Sequence, residues 1–304
     1  MSLLTLLSRQ PYLLLTLTAL IWAGNAIAGK MAVGHVSPFL LTSIRWLVAS
    51  AILLAFGWKL IRAEWPVIRR HLPYLFIMGT VGFTFFNNLM YLGLNYTTAI
   101  NVAIEQASMP LVVFAVNFAI FGIRATPLQI IGFLLTLVGV ALTVTGGNPL
   151  SILAQPVNLG DVFMLVAVFF YGLYTAALVR KPKLHWLTFI AVLGVSAFII
   201  SLPFAAWEIL TGRVIWPDAT GVSVAFYTAV FPAIVAQVLW VRGMEIIGSN
   251  RGGVFINLVP IFAAGLAILL LGEEFRLYHA VAIALVLTGV WMSQRQKTVA
   301  TPGG

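Results

Sequence analysis

Cysteine is absent from the 304 residues, which excludes disulfides and thiolate metal sites. Charge is nearly as scarce: Asp, Glu, Lys and Arg together make up 8% of the chain, and only eight of these residues are acidic against seventeen basic. Long polar stretches, the material of a soluble domain's surface, are also missing. What fills the space is apolar, at 61% hydrophobic residues with a mean hydropathy of +1.04, well beyond the composition of a soluble domain of this length. Such a chain belongs in a membrane.

Nearly apolar windows of about 20 residues, the length that crosses roughly 30 Å of hydrocarbon, recur along the whole sequence. Ten are expected, near residues 12–31, 38–58, 72–94, 99–121, 127–145, 160–179, 187–210, 221–244, 251–271 and 278–294. Each must satisfy its own backbone polar groups in lipid, so all ten are expected to be helices, giving an all-α integral membrane protein. Pro and Gly mark the joints in "GHVSP" (34–38), "RATP" (124–127), "GGNP" (146–149) and "WPDATG" (216–221). With both termini cytoplasmic, thirteen of the seventeen basic residues fall on the inner side: Arg9, Lys59, Arg62, Arg69, Arg70, Arg124, Arg180, Lys181, Lys183, Arg242, Arg251, Arg295 and Lys297. Lys30, Arg213 and Arg276 fall outside, and Arg45 lies within the second window. The net charge of +9 is therefore a topological signal and no footprint of nucleic acid. Arg9, the apolar run and "AIA" (26–28) also resemble a cleavable leader, but its removal would leave nine windows and spoil the repeat described next.

An offset of 150 residues lays "SMPLVVFAVNFAIFG" (108–122) over "LVPIFAAGLAILLLG" (258–272), pairing Pro110 with Pro260 and Gly122 with Gly272. The same offset pairs Gly139 with Gly289, Gly93 with Gly243 and Asn87 with Gln237. Five windows per half is an odd number, so the second half enters the membrane from the opposite side. Two inverted repeats of this kind can exchange conformations and expose a midplane site to each side in turn, as secondary transporters do. The expected units are residues 1–148 and 151–297, with a disordered polar tail at 298–304.

"ALIWAGNAIAGK" (19–30) and "LVPIFAAGLAILLLGEE" (258–274), with Pro260 about a dozen residues before Gly272-Glu273, resemble EamA-type members of the drug/metabolite transporter superfamily. The resemblance covers nearly the entire chain. It implies ten helices around a central cavity, export of small metabolites across a bacterial inner membrane, and no cofactor. Within the superfamily the chain is similar to the YddG-like bacterial exporters of aromatic amino acids and amphipathic compounds. The first half departs from the pattern, because Ile123 follows Gly122 where Glu273 follows Gly272.

Candidate cavity residues are the polar and aromatic side chains of the helices that the resemblance places around the cavity. In the fourth window Asn101, Glu105 and Ser108 share one helical face at i, i+4 and i+7. Asn87, Asn88 and Tyr91 cluster in the third, Gln237 and Trp240 in the eighth, Tyr171 and Tyr174 in the sixth, and Trp22 and Asn25 in the first; Asn257 opens the ninth. Amides that glue membrane helices together, and aromatic rings that mark the interface, are the alternative roles for all of these. Pro110 and Pro260 leave the carbonyls of Gln106 and Ile256 without a helical donor and are expected to bend their helices. An ionised Glu105 in lipid would cost on the order of 3 kcal/mol and needs a partner. Counting 1.5 Å per residue places it about 10 Å deep, level with Arg45, so a Glu105–Arg45 ion pair is expected, with Lys30 the second candidate. In a functional role the carboxylate would hold a substrate ammonium or take up a coupling proton.

"GNAIAGKM" (24–31) imitates a phosphate-binding loop, but Met31 replaces the Ser or Thr and no strand precedes it, so ATP hydrolysis is not expected. Histidines 35, 71, 185 and 279 have no nearby ligand cluster, so no metal is expected. An enzyme lacks a catalytic constellation. A channel would be symmetric about the membrane normal. A nucleotide-sugar or sugar-phosphate carrier of the same superfamily is the alternative cargo class, though a phosphate calls for several intramembrane basic residues. The expected partners are a small amphipathic metabolite, lipid and protons.

Overall fold

The computed structural model describes residues 10–121, 126–148, 158–247 and 253–294. Gly122, Ile123, the tail at 298–304 and the basic residues Arg9, Arg124, Arg251, Arg295 and Lys297 lie outside them. Among the described residues the chain is all helix. Its apolar elements are α1 (Pro11–Met31), α2 (Pro38–Ala63), α3 (Leu72–Gly93), α4 in two pieces (Ala99–Gln106 and Met109–Phe121), α5 (Pro127–Val144), α6 (Leu159–Ala177), α7 (Trp186–Leu210), α8 (Ala219–Ile247), α9 (Val259–Leu266) and α10 (Leu277–Gln294). Seven of these (α1, α2, α3, α5, α6, α7 and α8) are long and apolar enough to cross a membrane, and α4, α9 and α10 coincide with shorter apolar stretches. A short helix, Trp65–Arg70, fills the turn between α2 and α3.

The helix starts follow local chemistry. Proline occupies the first turn of α1, α2 and α5, where its missing N–H is no loss. Thr126 and Gln129 close a capping box on α5, and Asn158 and Asp218 cap α6 and α8. Two further caps come from across the bundle. Glu208, near the end of α7, accepts from the Phe39 and Leu40 amides at 3.1 and 2.9 Å, and Glu64 after α2 accepts from the His185 amide at the start of α7 at 2.9 Å. The two helices thus cap each other's N-termini.

Packing repeats between the halves. Helix α6 lies against α3 and α4, and α1 lies against α8 and α9 in the same way; α2 pairs with α7, and α5 with α10. The glycines matched at the 150-residue offset sit at matching crossings. A Cβ on Gly93 would stand 2.9 Å from the Gly160 carbonyl oxygen of α6, and one on Gly243 would stand 2.6 Å from Leu15 Cγ of α1. Gly139 meets Ala282 and Val286 of α10, while Gly289 meets Gly132 and Thr136 of α5.

Irregular backbone repeats as well. A π-helical segment widens α3 at Thr80–Phe85 and another widens α8 at Phe231–Val235, within one residue of the offset. Helix α4 is interrupted at Ala107 and Ser108, just before Pro110, and α9 passes from a 3-10 segment (Gly253–Leu258) to α-helix just before Pro260. Periodicity of apolar residues carries no sign of a π-segment, because the extra residue shifts the register without changing composition.

Candidate functional site

A cavity of about 690 Å³ lies between the helices. It runs from Trp22, Asn25 and Arg45, deep in the bundle, to Gln129 at the start of α5, Leu178 at the end of α6 and Ile190 in the first turns of α7. Alternation of the helices puts those last three residues at one end of the bundle, the end that also carries the basic groups Lys59, Arg62, Arg69, Arg70, Arg180, Lys181 and Lys183. The opposite end is tied shut. There Lys30 donates to the carbonyls of Leu94 and Thr97 at 2.8 and 2.7 Å, and Glu273 accepts from the Ala99 and Ile100 amides at 2.7 and 3.0 Å. Asn158 bonds the Tyr96 carbonyl, and His35 pairs with Asp218 at 2.7 Å.

The walls are aromatic. Trp46 stacks on Phe83 with ring centroids 4.5 Å apart, Phe83 leans on Tyr174, Tyr174 on Tyr171, and Tyr171 on Phe86. Trp22 and Trp240 face each other at 5.2 Å from α1 and α8, and the Trp22 indole donates to the Pro232 carbonyl within the π-segment. Among the described residues one cation stands amid these rings. Arg45 is buried, with its guanidinium 5.3 Å from the Trp46 ring centroid. Its Nη1 donates to Asn25 Oδ1 at 2.8 Å and to the Tyr91 hydroxyl; Tyr91 in turn donates to Asn25, and Arg45 Nε has no acceptor among the described residues. No Asp or Glu is among the described lining residues.

Of the residues singled out from sequence, Trp22, Asn25, Asn87, Tyr171, Tyr174, Gln237 and Trp240 line the cavity, as do Arg45, Pro110 and Pro260. Gln106 and Ile256, whose carbonyls the two prolines cannot satisfy, line it too. Asn88, Tyr91, Asn101, Glu105, Ser108 and Asn257 do not. On α4 the lining stripe is Ala103, Gln106, Ala107 and Pro110, while the polar stripe of Thr97, Asn101 and Glu105 turns away toward α6. Asp161 of α6 draws it there: Asp161 accepts from the Thr97 hydroxyl, and from Asn101 Nδ2 at 3.5 Å.

The expected Glu105–Arg45 ion pair is therefore not formed. Equal depth along the membrane normal fixed the level of the two residues but not their azimuth, and Arg45 is engaged by Asn25 and Tyr91 on another face of the bundle. Lys30, the second candidate, is engaged by two carbonyls. Glu105 is fully buried, lies one turn past Asn101 on the face of α4 that meets α6, and is not among the residues that line the cavity. Sequence reasoning missed Asp161, since an acidic residue one turn past an Asn cap reads as ordinary helix-start chemistry. It also missed Trp46, Phe83 and Phe86, which apolar windows hide because aromatic lining and aromatic core look alike.

A model of the EamA-like transporter family matches residues 9–145 and again residues 158–294. The chain belongs to the EamA-like transporter family. It is 30% identical to an uncharacterized transporter of Archaeoglobus fulgidus over 94% of this chain and 98% of that protein. It is 24% identical to the transporter YetK of Bacillus subtilis, over 94% of this chain and 87% of that one, and 24% identical to the inner membrane transporter YicL of Salmonella typhimurium, over 93% and 94%. A crystal structure 20% identical in sequence shares the fold, with a TM-score of 0.62 over 93% of this chain and 97% of that one. Family membership makes the protein a multi-pass membrane transporter, in line with its aromatic-walled cavity and its packing repeat.

Proposed function

We propose that this transporter is an exporter of amino acids, aromatic ones included, working by alternating access of the central cavity in a bacterial inner membrane. Ten crossings, as two inverted five-helix repeats with both termini cytoplasmic, are the topology that fits the packing repeat and the side on which the basic loops fall. In that topology the cavity opens toward the cytoplasm and the tied end faces out, so cargo loads from inside. The observation that carries the reading is the Arg45 guanidinium in an aromatic cage, the one cation among the described lining residues, which include no carboxylate. Arg45 receives the cargo carboxylate; the ammonium meets neutral acceptors and the faces of Trp22 and Trp240. An aromatic side chain stacks on Tyr171, Tyr174 and Phe86. A sugar phosphate, with two negative charges, would meet one cation among the described lining residues.

Counterflow in proteoliposomes with a panel of labelled amino acids, with and without a pH gradient, tests this reading. Saturable exchange that favours aromatic members is expected. Absence of exchange across the whole panel would refute it.

A further inference from the structure

We propose that Glu105 and Asp161 share one bound proton, forming an ion site at the α4–α6 contact that is separate from the cargo cavity. Glu105 is 0% exposed and lies one helical turn past Asn101, whose Nδ2 donates to Asp161, on the face of α4 that meets α6, and no donor from the other described residues reaches either of its oxygens. The amide oxygen of Asn101, a residue 9% exposed, is also buried without a donor beside the same group. The site thus holds an excess of acceptors and lacks one donor. The pair is unequal in a way that assigns its proton. Asp161 Oδ1 already accepts from the Thr97 hydroxyl and from Asn101 Nδ2, which suits the ionised member, and Glu105 accepts from neither. A proton on Glu105 supplies the missing donor to Asp161 and lowers the buried charge from two to one.

Among the described residues no charged group packed against α4 replaces that proton. Helices α5 and α9 bring no titratable side chain to it. Helix α1 brings Lys30, engaged by the Leu94 and Thr97 carbonyls. Glu273, after α9, caps the start of α4. From α10 come Tyr278, whose phenol senses Asp161, and His279, whose Nδ1 accepts from the Arg276 amide while Arg276 itself pairs with Glu274. From α6 come Asp161 and, further along the helix, the phenols of Tyr171 and Tyr174 on the cavity wall.

The site adjoins two walls of the cavity. Gln106 and Ala107 follow Glu105 directly and line the cavity, next to the break in α4, and α6 carries Tyr171 and Tyr174. Loss of the proton sets two carboxylates against each other across the α4–α6 contact, so occupancy and the position of these walls are linked. Proton binding stands without the transport reading; its role as the coupling ion rests on it.

Infrared titration of the purified protein in lipid tests the binding. A carbonyl stretch of a protonated buried carboxyl is expected, bleaching as pH rises, lost in Glu105→Gln, retained in Glu105→Asp and displaced along the pH axis in Asp161→Asn. Its absence from the native protein, or its retention in Glu105→Gln, would overturn the proposal. Bleaching by sodium at fixed pH and ionic strength would also overturn it, in favour of a metal cation. For coupling, pH-gradient-driven accumulation of labelled L-phenylalanine in proteoliposomes is expected to be lost in Glu105→Gln. A gradient response equal to the native one overturns the coupling role, whereas no L-phenylalanine flux in the native protein sinks the cargo reading and leaves the infrared result standing.

Discussion

Replacing Arg45 by Met keeps the unbranched stem of the side chain and removes the one cation among the described residues of the cavity wall. The effect on the fold is small. Tyr91 and Asn25 still bond each other at 3.1 Å, so the loss is two neutral-acceptor bonds to a charged donor plus the contact with Trp46, set against the desolvation of a guanidinium that already has an unpaired Nε. A net destabilisation of about 1–2 kcal/mol follows. The effect on cargo is larger. A hydrogen bond from a charged donor contributes about 1.5–3 kcal/mol, and a carboxylate facing a guanidinium makes one or two. Taking about 3 kcal/mol net, affinity falls roughly 150-fold. Arg45→Lys keeps the charge but loses the fork, and about tenfold is expected.

The assay is competition against labelled L-phenylalanine in counterflow, with phenethylamine, which has the ring and the ammonium but no carboxylate, as second competitor. The native protein is expected to discriminate between the two by about the same factor that Arg45→Met loses for L-phenylalanine, and the variant is expected to discriminate little. Two results refute the reasoning: an unchanged half-saturating concentration in Arg45→Met, or phenethylamine competing as well as L-phenylalanine against the native protein.

Gly139→Ile drives a branched side chain against the α10 backbone, since even a Cβ there stands 2.9 Å from the Ala282 carbonyl oxygen; overpacking of about 1–3 kcal/mol lowers the melting temperature, and an unchanged melt refutes the α5–α10 contact. Glu208→Ala strips the Phe39 and Leu40 amides of their cap, and thermal unfolding is expected to show a loss of about 2 kcal/mol. Outside the membrane, bonds from the Gly221 amide and from His35 hold Asp218 below the usual carboxylate range. A depressed folded value means its contribution is complete above the ordinary carboxylate value near ~4 and is lost as pH falls through the lower folded value. The difference in melting temperature between the native protein and Asp218→Asn is therefore expected to shrink on acidification from neutral pH, and a difference that grows instead reverses the sign of the argument.

The helices were legible because lipid imposes one rule on every residue of a span: an apolar window must be a helix. The 150-residue offset was legible because glycine and proline act through the backbone. Gly93 and Gly243, or Gly139 and Gly289, occupy matching crossings whatever surrounds them. The interior of the site was less legible. Asn101 and Glu105 share a helical face and Ser108 falls in the break of α4, but a helical wheel has no preferred zero, and only the position of Asp161 on α6 decides that this face meets a neighbouring helix while Ala103, Gln106 and Ala107 meet the cavity.

The backbone irregularities come in pairs, whereas the charges that matter do not. At the offset of 150, Arg45 stands opposite Val195, Glu105 opposite Phe255, Asp161 opposite Pro11 and Glu273 opposite Ile123. In the proposed alternating-access cycle paired features serve both halves, because each repeat adopts the conformation its partner has just left. A charge duplicated at the symmetric position would double the desolvation cost within the bilayer. Unpaired charges on a paired frame are thus where chemistry concentrates in this fold: one guanidinium turned into the cavity, and one acidic couple set behind it at the α4–α6 contact.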